Sequence, residues 1–289
     1  MTPKADLYQM VTDKILAELE KGTAPWVKPW RDAKASGNVP HNAVTKREYS
    51  GVNTLLLWLD DLYPTKAWLT FQQALASGGH VRKGEKATTI IFVKPVLYKD
   101  EATDKERRGA MLRHFSVFNV AQCDGLPDAL LSPTPRIPYT PTQFDVWVST
   151  TGAKVQIGGN RAYYSITTDA IHMPAPQYFK SPDLWAATVC HELGHWTGHK
   201  TRLDRQLRNR FGDAEYAAEE LIAELCAAYT TAALGVDGET AHHAAYLANW
   251  ITLMKSDKRA IFTAASAAGK ASAYLLQQAA GQDVEAEAA

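Results

Sequence analysis

The pentapeptide His191-Glu192-Leu193-Gly194-His195 constrains this chain more than any other feature. It reads H-E-x-x-H inside a stretch of helical character. Residues four apart on a helix stand on one face about a turn apart, so both imidazoles can reach one metal ion. Glu192 sits on the shoulder of that face, poorly placed to join the same coordination sphere but able to reach a water held there. Two nitrogen ligands, an open position and an adjacent carboxylate base are what a zinc hydrolase needs. The competing reading is a surface helix with two solvated histidines, and the flanks argue against it. Ser181 suits an N-cap, Pro182 the first helical position and Asp183 the positive end of the dipole. Trp185, Ala186, Val189, Leu193 and Trp196 give the helix a face to bury, and Gly198 ends it. Polar side chains on a buried helix need partners.

A third ligand should come from Ala218-Glu219-Glu220-Leu221-Ile222-Ala223-Glu224-Leu225, strongly helical by composition. Glu220 and Glu224 share a face. One can ligate the metal while the other, a turn later, accepts the free N–H of a ligating histidine and fixes its tautomer. Glu220 is assigned as the ligand and Glu224 as the support. Glu219, about 100° round the helix, is expected in solvent. An ordinary charged helix face is the alternative.

A chain of 289 residues with 46% hydrophobic content suggests about two globular domains. Five prolines between Pro127 and Pro141 mark a semi-rigid linker. The expected division is 1–125, 126–141 and 142–289. The formal net charge is zero, but residues 1–125 hold 18 Lys+Arg against 14 Asp+Glu, leaving 13 against 17 for residues 126–289. A modestly basic first half permits nucleic acid without demanding it. No apolar run approaches membrane-spanning length and the N-terminus lacks a signal-peptide core, so no membrane partner is expected. Three widely spaced cysteines, Cys123, Cys190 and Cys226, form no disulfide framework and fit a reducing cytoplasm. Residues 281–289 read as a frayed acidic tail.

The first half looks mixed. Helices are expected over 5–21, over 52–62 and after Trp68. Thr88 to Val93 should be a strand, 99–109 a charged hairpin loop, and Arg113 to Val120 the return strand. Aromatic residues alternate with cations here, and rings beside cations are what single-stranded nucleic acid needs. Base rates instead put most of Trp58, Phe92, Phe115 and Phe118 in the core.

Certain stretches carry a resemblance. They are Pro25-Trp26 with Pro29-Trp30, Tyr49-Ser50-Gly51-Val52-Asn53, Trp68 to Ala74, Val81 to Lys86 and Val117 to Gln122, then His191 to His199, Arg202 to Arg205, Glu219 to Leu225 and Ala245 to Trp250. With them the chain resembles the ArdC antirestriction proteins of conjugative plasmids, and the N-terminal region of TraC-type plasmid primases. The resemblance implies an α+β protein: a mixed α/β domain that binds single-stranded DNA, and a mainly helical zincin-like metallopeptidase domain with a small β-sheet. It implies protection of incoming plasmid DNA from host restriction during conjugation. Carried over, the metal site is His191, His195 and Glu220, with Glu192 as base. The DNA contacts fall on Trp26, Lys28, Trp30, Tyr49, Asn53, Gln73, Lys83 and Lys86.

The chemistry that follows is peptide hydrolysis at one divalent ion. Zinc suits the ligand types best and manganese is compatible. Glu192 takes the water's proton and delivers it to the leaving amine. Tyr246, His243 and Tyr164 are candidate donors to the developing oxyanion. Tyr163 to Thr167 could form an edge strand that holds an extended peptide. The basic run Lys200, Arg202, Arg205, Arg208 and Arg210 could hold an acidic substrate, continue a DNA path or simply be solvated. One reading is a DNA-tethered peptidase acting on a protein of the host restriction system. The other is a DNA-binding shield whose metal domain is structural. A nuclease would want more carboxylates.

Overall fold

The computed structural model describes residues 6–22, 24–26, 39–60, 63–99, 106–131, 140–205, 214–236 and 243–286. The first half runs α1 (Leu7–Leu19), β1 (His41–Asn42), α2 (Val52–Leu59), β2 (Ala67–Thr70), α3 (Phe71–Ala76), β3 (His80–Val81), β4 (Thr88–Lys99), β5 (Glu106–Asn119) and β6 (Cys123–Asp124). The second runs α4 (Asp128–Leu131), α5 (Pro141–Thr150), β7 (Lys154–Ile157), β8 (Tyr163–Ser165), β9 (Ala170–Met173), α6 (Pro182–Thr197), α7 (Ala214–Leu234), α8 (His243–Ser256) and α9 (Ala260–Ala286). The last helix runs on where a frayed tail from Gly281 was expected.

Local chemistry accounts for the helix starts. Asp6 accepts from the Tyr8 and Gln9 amides at 3.1 and 3.2 Å and caps α1. Thr70 and Gln73 cap α3 reciprocally. The β-rich run from Thr88 forms a hairpin longer than its sequence suggests: β4 and β5 stay paired from Thr88↔Val117 to Lys99↔Glu106. Lys99 and residues 106–109 of the expected loop are therefore strand, and 100–105 lie outside the described residues. The sheet order is β1-β2-β5-β4, with β3 and β6 as a separate ribbon and β7-β9-β8 as a second small sheet. Asn53 of α2 clamps β4, donating to the Ile91 carbonyl at 2.8 Å and accepting from its amide at 2.7 Å.

The apolar core crosses the boundary expected at 126–141. Val11, Ile15, Leu19 and Trp58 belong to one buried cluster with Leu221, Trp250 and Ile261. The Thr12 hydroxyl donates to the Lys258 carbonyl at 2.8 Å, and the Tyr229 hydroxyl to the Gly51 carbonyl at 3.0 Å. Helices α1 and α2 thus complete the core of the second half, and among the described residues the first half has no separate core of comparable extent. The expected linker is also partly built in. Leu126 is buried beside Ala67 and Leu69, α4 follows, and Thr140 caps α5; residues 132–139 lie outside the described residues. No helix among the described residues is long and apolar enough to cross a membrane.

Candidate active site

Helix α6 begins as its sequence implies: the Ser181 hydroxyl accepts from the Leu184 amide at 3.1 Å, with Pro182 and Asp183 in the first turn. It lies against α7, and the two backbones meet at Gly194. A Cβ on Gly194 would stand 3.0 Å from the Ala223 Cα and 3.2 Å from the Ala223 oxygen. Both distances are shorter than the separation of about 3.5–4.0 Å at which carbon atoms pack. Gly194 therefore sets how closely α6 can face α7.

This approach brings His191, His195 and Glu220 together, with one ligand atom from each inside 4.8 Å of the others. The two Nε2 atoms are 3.2 Å apart. Glu220 Oε2 lies 3.6 Å from His191 Nε2, and its Oε1 3.5 Å from His195 Nε2. Behind the rings, Glu224 Oε2 is 3.4 Å from His191 Nδ1 and Glu219 Oε1 is 3.3 Å from His195 Nδ1. A carboxylate at each Nδ1 favours the proton there and turns the Nε2 lone pairs toward Glu220. This donor set fits a divalent cation. Burial pushes the His191 imidazole down, but Glu220, Glu224 and Glu192 outweigh it and raise its proton affinity well above the ordinary histidine range. Burial likewise raises Glu220, while His191 and His195 bring it down to about 2.

Glu219 is not in solvent. It is 8% exposed and sits between His195 and Arg205. Arg205 donates to both its oxygens, at 3.0 and 2.9 Å, and also to the Gly194 carbonyl at 2.7 Å and the Thr197 hydroxyl at 2.9 Å. Arg202 is committed too: it donates to Asp169 and stacks over Trp196 at 3.9 Å. The basic run is therefore neither a solvated face nor a DNA path at these two positions. Lys200 is exposed, and Arg208 and Arg210 lie outside the described residues.

The three residues and Glu192 line a cleft of about 830 Å³. Glu192 is 6% exposed. One wall is β8, the edge of its sheet, with Tyr163 and Tyr164 on the cleft. Of the expected donors, the Tyr164 hydroxyl donates to Asp169 at 2.7 Å and accepts from Arg202 at 3.3 Å, so it is spent on holding the wall. His243 opens α8, and its side chain lies outside the described residues. Tyr246 does line the cleft, and its hydroxyl is 3.3 Å from that of Tyr216. Tyr216 was missed by sequence reasoning, although it stands one turn before Glu220 on the same helix face.

The expected DNA contacts are scattered. Trp26 is 4% exposed and packs on Trp250 at 5.6 Å, so its ring cannot stack on a base. Tyr49 is half-buried beside Leu57 and Trp68. The amides of Asn53 and Gln73 are consumed internally, by Ile91 and by Thr70 and Asn42 respectively. Lys83 and Lys86 are exposed; Lys28 and Trp30 lie outside the described residues. Trp58 is buried as expected, but Phe92 and Phe115, also expected in the core, are 57% and 46% exposed.

Comparison with known proteins places this architecture. Residues 5–118 match the N-terminal domain of anti-restriction factor ArdC, and residues 142–267 match a zincin-like metallopeptidase. The metal-free crystal structure of the antirestriction ArdC protein from the R388 plasmid superposes with a TM-score of 0.82 at 40% identity, covering 96% of this chain and 99% of that one. The chain belongs to the ArdC antirestriction family. The Mn(II)-bound crystal structure of the R388 protein gives a TM-score of 0.80 at 38% identity. The Sinorhizobium fredii protein y4eC is 35% identical over 91% of this chain and 89% of its own length. Two Escherichia coli DNA primases named TraC are 34% and 35% identical, and the chain spans 20% and 27% of their lengths.

Proposed function

We propose that this chain is an antirestriction protein of the plasmid-transfer type, acting in the cytoplasm. It binds single-stranded DNA and protects incoming DNA through a metal-dependent peptidase-like centre whose substrate is a protein of the host restriction system. The observation that carries the reading is Glu192: a carboxylate on the same cleft as the converging His191, His195 and Glu220 but outside that group, which a purely structural site would not need. The Mn(II)-bound R388 relative supports a divalent ion held by those three residues, with zinc or manganese both suited to the ligand types. When bound, such an ion would lower the pKa of water and polarise a carbonyl oxygen.

The chain's own groups supply the rest. Glu224 and Glu219 orient the two imidazoles. Glu192 accepts the proton of the attacking water and returns it to the leaving amine. The paired hydroxyls of Tyr216 and Tyr246 stand beside Glu220 and can donate to the oxygen on which negative charge develops. The free edge of β8 can pair with an extended substrate backbone. Calorimetric titration of the metal-stripped chain with zinc or manganese should give one site per chain, lost in His191→Ala and Glu220→Ala. Unchanged stoichiometry and affinity in Glu220→Ala would remove it from the ligand set. Anisotropy titration with an unstructured oligonucleotide and with its duplex tests the DNA reading, which requires tighter binding to the single strand.

A further inference from the structure

The β4–β5 hairpin carries a surface that the residues first assigned to DNA do not include. Cross-strand partners share a face, and so do residues two apart on a strand. The pairs Ile90↔Phe115, Phe92↔Arg113 and Lys94↔Met111 therefore put Phe92, Lys94, Met111, Arg113 and Phe115 on one side of the ribbon. Phe92 and Phe115 meet edge to face at 6.2 Å and remain 57% and 46% exposed, and Met111 is 41% exposed. Lys94 and Arg113 are exposed as well, and no ion pair holds either among the described residues.

The other side of the ribbon meets the core near its root, while Val93 and Leu97 farther out on that side are exposed. Ile91 is buried there under Asn53, and Leu112 packs against the same cluster. At the root, Thr88 and Val117 of the aromatic side are buried near Leu57 and Trp68, so this face leaves the core and projects outward. Exposed apolar side chains grouped on one face mark an interaction surface more readily than ones scattered singly. Charge indicates which partner. The two strands hold Lys94, Lys99, Arg107, Arg108 and Arg113 against the single acid Glu106. Between them, the segment 100–105, which adds Asp100, Glu101, Asp104 and Lys105, lies outside the described residues.

We infer that this face of the hairpin is the single-stranded DNA platform, with bases stacking on Phe92 and Phe115 and with Lys94 and Arg113 on the phosphates. The assignment rests on the reading that the chain binds single-stranded DNA. Ring faces reward unpaired bases of any sequence, whereas a duplex offers none.

The test uses the full chain and two double variants, Phe92→Ala with Phe115→Ala and Lys94→Gln with Arg113→Gln. All four side chains are exposed, so circular dichroism and metal binding should stay at wild-type values. By anisotropy, the aromatic variant should bind an unstructured oligonucleotide about thirtyfold more weakly or worse, given the usual worth of two stacked bases. The basic variant should reduce the slope of log affinity against log salt by about 1.4, two phosphates' worth. Wild-type affinity and slope in both folded variants would overturn the assignment while sparing the DNA reading. So would loss of self-association without any change in DNA affinity, which would make the face a contact between copies. A wild-type chain with no preference for the single strand over its duplex would sink the DNA reading and this surface with it.

Discussion

Gly194→Ala is the substitution that most sharply separates stability from function here. Alanine in a helix interior is favoured over glycine by about 0.8–1.0 kcal/mol. Against that, the new Cβ would stand 3.0 Å from the Ala223 Cα and 3.2 Å from its oxygen, both backbone atoms of a fully buried residue that cannot swing away. Overpacking of this kind costs about 1–3 kcal/mol. The two effects leave a net loss between about zero and 2 kcal/mol, which for a chain of this size is at most about 8 °C in Tm. The consequence at the site is larger. Glu220 lies on α7 three residues before Ala223, so a separation of even about half an ångström moves its carboxylate from the two histidines. Ligand distances tolerate only about 0.2 Å. The expected outcome is a folded protein whose zinc or manganese affinity falls about tenfold or more, equivalent to about 1.4 kcal/mol. Thermal unfolding without metal and calorimetric titration with it measure the two effects separately. Wild-type metal affinity in Gly194→Ala would refute the idea that this backbone contact sets the ligand spacing.

Trp26→Ala should destabilise the chain by about 3–5 kcal/mol in denaturant unfolding, because it empties a buried site against Trp250 rather than removing a DNA contact; a stability loss under about 1 kcal/mol would contradict that packing. A fragment ending at Leu131 should fail to show a cooperative unfolding transition, since α1 and α2 bury their apolar faces against α8 and α9; a sharp two-state transition would show that the halves fold alone. Asp169 is held down to about 2 by Arg202, against an ordinary 3.8. Its folded-state pKa is depressed, so its contribution is present above about pH 4 and fades as the pH falls toward 2. The Tm difference between wild type and Asp169→Asn, a replacement that tolerates the left-handed backbone at φ 47°, should shrink accordingly; a difference constant from pH 6 to pH 2 would assign the effect elsewhere.

The helix carrying His191 to His195 was legible because cap, proline, apolar stripe and motif all agree within one short segment. The pairing of Glu220 with Glu224 was legible for the same reason: helical periodicity alone places them on one face. Glu219 was misread because its fate depends on Arg205, which returns to it from beyond the end of α6, and periodicity carries no information about such a return. The aromatic residues were inverted. Trp26 was expected to contact DNA, yet Trp250, from α8 far along the chain, covers it. Phe92 sits in a run that reads as core, yet that side of the hairpin is covered only at its root, around Thr88 and Val117, among the described residues. Burial of a ring is decided by the element that packs on it, and partners distant in sequence leave no local trace. The same limit hid the shared core of α1, α2, α8 and α9 behind a proline-rich segment that reads as a boundary.

The peptidase-like reading turns on one carboxylate. Glu192→Gln keeps shape and burial while removing the base, and loss of a general base ordinarily slows proton transfer about 10²–10⁴-fold. The decisive measurement is conjugative transfer of an unmodified plasmid into a restricting recipient supplied with equal amounts of wild type or Glu192→Gln. With metal content and single-strand affinity of the variant unchanged, plasmid survival should fall to that seen without the protein. Full protection by Glu192→Gln would contradict the account and leave a DNA-binding shield with a structural metal domain.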